Sequence, residues 1–212
     1  RELMAWAVEI ATWTALVDQD WSRAARLAAA GQSLAPAGSP ASVQLTAQCA
    51  RAAARLGEAA TVRDALGTAE SAVDRQTGDR PADHHFMFDG RKLAGYTATS
   101  LAWLGDPAGE RVAREVVQGH AEGGPPRRLA TARIDLGLVL ARAGRPDEAA
   151  HMGLLAADSA TLVPSNRWRL DELDDALAGH RDVTEPAELH DRMSSSREVR
   201  LPPAPRLGRI SL

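Results

Sequence analysis

Apolar positions recur at three and four residues along most of this chain, the spacing of amphipathic helices. Leu3, Trp6, Ile10, Trp13 and Val17 predict a first helix over Glu2–Val17. A second is expected over Trp21–Leu34, stopping before Pro36, Gly38 and Pro40. A third follows Pro40, with Ser39 placed as its N-cap, and ends at Gly57. The fourth fills 59–73, after which Thr77-Gly78-Asp79-Arg80-Pro81 breaks the period and 82–88 reads as an insert. Helices resume over 89–104, 107–120, 126–143 and 146–160, with Pro107 and Pro146 suited to a first turn, where a missing N–H costs little. A last pair covers 166–177, striped by Leu170, Leu173 and Leu177, and 185–193. From Ser194 onward a serine run, Pro202, Pro203, Pro205 and scattered arginines predict a flexible tail. The expectation is one helical repeat domain over 1–193 and a Pro/Arg-rich tail over 194–212.

The bends between these helices repeat. Gln19-Asp20-Trp21, Leu56-Gly57-Glu58, Leu104-Gly105-Asp106 and the run from Ala143 through Gly144 and Pro146 to Ala149 are spaced by about 38, 48 and 39 residues. Arrays of such hairpins present a curved, grooved surface and usually carry no catalytic machinery. The clearest unit, Leu136-Gly137-x-x-Leu140-x-x-x-Gly144-x-Pro146-x-x-Ala149, resembles the tetratricopeptide (TPR) signature. Small residues at a helix crossing let two backbones approach closely. Thr12, Ala50 and Ala98 take the Gly137 place in the other units, and Ala24, Val62 and Glu110 take that of Ala149. Glu110 departs from the pattern, which predicts a shifted or irregular second helix in the third unit.

Composition narrows the class. Alanine, leucine and arginine dominate, while aromatic residues make up 4%, a bias toward helix over strand. Lys92 is the only lysine, as a GC-rich bacterial genome would give. A net charge of −3 and a pI near 6.1 argue against strong binding to nucleic acid or membrane surfaces. Cys49 stands alone, which excludes an internal disulfide, points to a reducing, cytoplasmic compartment, and reads as a buried thiol. No apolar run reaches the roughly 20 residues of a membrane helix, and no signal peptide is evident. The chain opens at Arg1 inside an amphipathic pattern, so it reads as part of something longer.

Four segments carry a more specific resemblance: 43–48 (Val-Gln-Leu-Thr-Ala-Gln), 83–89 (Asp-His-His-Phe-Met-Phe-Asp), 132–137 (Ala-Arg-Ile-Asp-Leu-Gly) and 162–168 (Leu-Val-Pro-Ser-Asn-Arg-Trp). In this order, over most of 1–193, the chain resembles the TPR-like C-terminal region of actinobacterial XRE-family helix-turn-helix transcription regulators. The resemblance implies an all-α, right-handed superhelix of about four helix pairs with a capping pair. It implies a region that senses an effector or dimerises, with DNA bound only through an N-terminal domain that this chain lacks. Asp89-Gly90-Arg91-Lys92 departs from the family's Asp-Pro-x-Lys. The alternative is a stand-alone TPR scaffold that binds a partner's peptide, unrelated to transcription.

On the TPR frame the concave groove would be lined by Trp6, Glu9 and Trp13, by Gln44, Arg51 and Arg55, by Lys92, Thr99 and Trp103, and by Thr131, Ile134, Leu138 and Arg142. Its arginines, lysine and tryptophans suit a peptide, a partner protein or a small acidic effector. A second copy of the chain is a further candidate partner. In the insert, Asp83, His84 and His85 could begin a metal site, yet adjacent loop residues diverge and nothing nearby completes a shell. A structural role is expected instead, with Phe86 and Phe88 plugging the array and Asp89 capping the next helix. Asp171, Glu172, Asp174 and Asp175 spread over several faces of one helix and read as a solvated acidic surface. No Gly-x-Ser-x-Gly, phosphate-cradling loop or Cys/His pair points to catalysis; no catalytic residue, metal or cofactor is expected, and no membrane partner.

Overall fold

A computed structural model describes residues 1–75, 86–159 and 164–198 of the 212. Among them the chain is all-α: α1 (Glu2–Val17), α2 (Trp21–Leu34), α3 (Pro40–Arg55), α4 (Ala59–Asp74), α5 (Gly90–Leu104), α6 (Gly109–Ala121), α7 (Pro126–Arg142), α8 (Pro146–Ala157), α9 (Pro164–Ala176) and α10 (Thr184–Glu198). The helix starts are chemically marked. Asp20 accepts from the Arg23 amide at 3.0 Å, Ser39 from Ser42 at 3.3 Å and Asp89 from Lys92 at 2.7 Å, each satisfying an otherwise orphaned N–H.

The four repeated bends share one geometry. Gln19, Gly57, Gly105 and Gly144 all have left-handed φ, at 60°, 75°, 76° and 72°. At each, the next amide closes the helix by donating back to a carbonyl five residues earlier: Asp20 to Ala15, Glu58 to Ala53, Asp106 to Leu101 and Arg145 to Leu140. This is the Schellman closure that favours glycine. Only Gln19 occupies it with a side chain.

Packing alternates. Each of α2, α4 and α6 packs against the odd-numbered helices on both sides of it, and α1, α3, α5, α7 and α9 pack on one another in series. The series turns far enough that α9 also reaches α1, while α8, α9 and α10 close the far end. Small residues make the crossings. A Cβ on Gly137 would sit 3.1 Å from the Ala149 carbonyl oxygen and 2.6 Å from Leu173, and Ala24, Ala50, Val62, Ala98 and Ala149 are fully buried.

Several boundaries differ from expectation. α6 begins at Gly109 rather than Pro107, because the Asp106 carboxylate accepts from the Ala108 amide at 2.9 Å and holds a turn first. Gly109 and Ala113 take the buried crossing positions there, and Glu110 turns outward to Arg114 and Arg145. α8 stops at Ala157, short of 160, and α10 continues past Met193 to Glu198. The acidic run of α9 is not uniformly solvated: Asp174 is buried between Arg181, at 2.5 Å, and His190, at 3.1 Å. Cys49 is half-buried rather than buried, and desolvation raises its thiol pKa, helped by Glu58. No helix among the described residues is long and apolar enough to cross a membrane.

Candidate functional site

The odd-numbered helices enclose a cavity of about 510 Å³, within the size range of small-ligand pockets. α1 supplies Glu9, Ile10 and Trp13, and α3 supplies Gln44 and Arg51. From α5 come Arg91, Lys92, Gly95, Tyr96 and Thr99; from α7, Arg127, Arg128, Thr131, Ala132 and Asp135. Asn166 and Arg169 enter from α9, and α6 adds Val116 and His120. Every third or fourth residue of each odd helix meets the hollow, which is why their polar positions converge there.

The floor is a polar network. Arg169, 1% exposed, pairs with Asp135, whose second oxygen accepts from Thr99 at 2.8 Å. Burial works to lower the Arg169 pKa, yet a guanidinium starts so high that the pair stays ionised. Glu9, 2% exposed, accepts from Gln44 and from Gln48, the latter at 2.8 Å. Gln48 in turn accepts from Arg51 at 3.1 Å. Asn166 donates to Thr131 at 2.7 Å. Both carboxylates of the lining are thus already engaged by the protein.

The rim is different. Arg91 and Lys92 sit in the first turn of α5, Arg127 and Arg128 in that of α7, and His120 in the last turn of α6. Burial lowers the Lys92 pKa to about 8, with repulsion from Arg128 and Arg127 adding to it and Glu9 and Asp89 opposing. His120 is also lowered, by burial first and then by Arg128 and Arg91, so its imidazole is neutral near pH 7. The Tyr96 phenol is raised by burial and by Glu9, against the pull of Arg51. Among the described residues, six cationic side chains and two carboxylates line the hollow.

Trp13, Gln44, Arg51, Lys92 and Thr99 of the expected groove line this cavity, as do Glu9 and Thr131. The others lie elsewhere. Trp6 is buried with Ala5, Ala41 and Leu45, its ring edge against Phe86 at 5.3 Å. Ile134 and Leu138 belong to the main core. Arg142 is exposed and donates to the Ala102 carbonyl. Trp103 and Arg55 form a separate cage: Trp21, Trp103 and Trp168 stand with ring centroids 5.8–6.3 Å apart. The Arg55 guanidinium lies 4.0 Å from the Trp103 ring centre, 4.9 Å from Trp21 and 5.6 Å from Trp168. Glu172 pairs with it through two oxygens, at 2.7 Å and 2.5 Å.

In the insert, Asp89 caps α5 as expected. Phe88 is buried against Val43 and Leu93, whereas Phe86 remains 42% exposed. Asp83, His84 and His85 lie outside the described residues, and among the described ones no group of three His, Cys, Asp or Glu could hold a metal.

Sequence reasoning missed Arg127 and Arg128, Tyr96, Asp135 and Arg169. One of these was signalled. Asp135 interrupts the apolar stretch from Ile134 to Leu140, and a charge on a buried face implies a buried partner. No family model, no curated protein and no solved structure matches this chain.

Proposed function

We propose that this chain is the non-catalytic sensing and protein-interaction region of an XRE-family transcription regulator. It would be built as a TPR-like right-handed superhelix and act in the cytoplasm, with DNA bound by a separate helix-turn-helix domain. One observation carries the sensing role: the cavity takes residues from α1, α3, α5, α7 and α9 together. A guest there touches every unit, so it can change the tilt between neighbours. If two tilts bind it unequally, occupancy shifts their populations, biases a dimer's geometry, and thereby alters operator affinity. The four Schellman corners and the Gly137–Ala149 crossing support the repeat reading.

The scaffold alternative draws on one feature. Leu3 and Met4 leave the start of α1 with exposed apolar side chains, at 78% and 63% exposure, a surface on which a partner could dock. The protein encoded by the whole gene separates the two readings. Purified from that gene, a regulator retains specific genomic fragments in an electrophoretic shift, and Gly95→Leu, which fills the cavity, changes the response to effector without abolishing retention. Absence of any sequence-specific DNA binding by the full-length protein retires the regulator reading and leaves the scaffold.

A further inference from the structure

We infer that the outer face of α1 is a contact between two copies of this chain, paired antiparallel about a two-fold axis. This contact is separate from the cavity and from any DNA, and it holds for the regulator and the scaffold alike.

α1 presents an uncharged surface to water. Leu3, Ala7, Ala11 and Thr14, with Met4 beside them, recur at three- and four-residue spacing on the side away from the core. Leu3, Met4, Ala7 and Thr14 are exposed, and Ala11 is half-buried. Ile10 and Trp13 turn aside to line the cavity, while Ala5, Trp6, Glu9, Thr12 and Leu16 are buried. The helix carries two charges, Glu2 and Glu9, and Glu9 is the buried one. The hydroxyl of the outer face is satisfied within the helix, since Thr14 donates to the Ile10 carbonyl at 2.9 Å. Methyl and thioether groups are what remains to meet solvent. On α6 the exposed side instead bears the Arg111–Glu115 and Arg114–Glu110 pairs. A continuous apolar stripe on a helix with no further neighbour outside it marks an interaction surface.

The stripe also complements itself. It is graded in size, with Leu3 and Met4 at one end and Ala7, Ala11 and Thr14 toward the other. A second α1 laid antiparallel sets Leu3 and Met4 over Thr14 and brings Ala7 opposite Ala11, where small side chains let two axes close. The same register brings Arg1 beside Asp18. Both are exposed, each flanks one end of the helix, and the two-fold axis makes the match twice. Parallel pairing sets Leu3 on Leu3 and Arg1 on Arg1, so neither size nor charge is matched. A strongly charged partner would find no counter-charge along the stripe. Closure hides on the order of 1,000 Å² over both copies, the low end for a specific interface, so association is reversible and depends on concentration.

Sedimentation velocity over a concentration series reads this directly. The chain is expected to pass from monomer to dimer with a dissociation constant of about 10–100 µM. Ala7→Arg places two guanidinium groups face to face at the crossing and should weaken the dimer at least about tenfold. Position 7 is exposed, so the helical circular dichroism should not change. Arg1→Asp alone should weaken it about threefold, and Arg1→Asp combined with Asp18→Arg should restore it. A chain still monomeric about tenfold above that range overturns the inference, as does a dimer indifferent to Ala7→Arg or to Arg1→Asp. The product of the whole gene supplies the last arm: Ala7→Arg must weaken its self-association too, or the face belongs to another segment and the inference fails. None of these readouts involves DNA or an effector, so a failed operator experiment and a failed dimer experiment are told apart.

Discussion

Two regions of this molecule use arginine and tryptophan to opposite ends. In the cage, Arg55 has three indole faces and both oxygens of Glu172. At the rim of the cavity, Arg91, Lys92, Arg127 and Arg128 stand together in the first turns of α5 and α7, with Glu9 and Asp89 acting on Lys92. The cage pairs its arginine within the chain and holds the molecule together. The rim instead sets its cations on the wall of a hollow. Identical residue types therefore say little about role; what matters is whether they close a packed contact or line an open space.

The sharpest way to break the contrast is to unpair a charge where it is satisfied. Asp135→Ala leaves the Arg169 guanidinium buried and unpaired and should cost about 3–5 kcal/mol in a denaturant titration. Asp135→Leu combined with Arg169→Met should recover most of that loss. In the cage, Arg55→Ala removes the indole stacking and the Glu172 pair, for a loss of about 2 kcal/mol. On the open face of α6, Arg111→Ala breaks only an exposed pair with Glu115 and should stay within about 0.5 kcal/mol of the parent stability. Equal losses at both sites would erase the distinction.

The pH dependence sharpens it further. Lys92 is charged below about 8 and neutral above. With its folded pKa lowered, Lys92 binds fewer protons folded than unfolded between pH 8 and about 10.4, so its contribution to stability improves as pH rises through that window. The smallest effect lies at the first corner. Gln19→Gly relieves a left-handed non-glycine residue and should raise stability by about 1 kcal/mol in thermal melts.

Much of the fold was legible because its determinants are local. The left-handed corners carry glycine at three of four places, prolines and small polar residues mark helix starts, and alanines of 0% exposure follow the helical period. The misplaced boundary at α6 came from reading Pro107 without the Asp106 side chain that holds the preceding turn. The site was legible only in part. Trp13, Arg51 and Lys92 fell where expected, but Trp103 and Arg55 turned from the hollow into a cage closed by Glu172, 117 residues further along. Periodicity tells which face of a helix is shared, not how far successive units rotate, and that rotation decides which distant side chains meet.

The return of α9 to α1 has a consequence for how the molecule comes apart. Where hairpins touch only their nearest neighbours, an end unit can fray while the middle persists, and melting becomes gradual. Here the last third is stapled to the first by Trp168 against Trp21 and by Glu172 on Arg55. Neither the first helices nor α9 can peel away without tearing the other, so heating should yield one sharp cooperative transition seen alike by every probe.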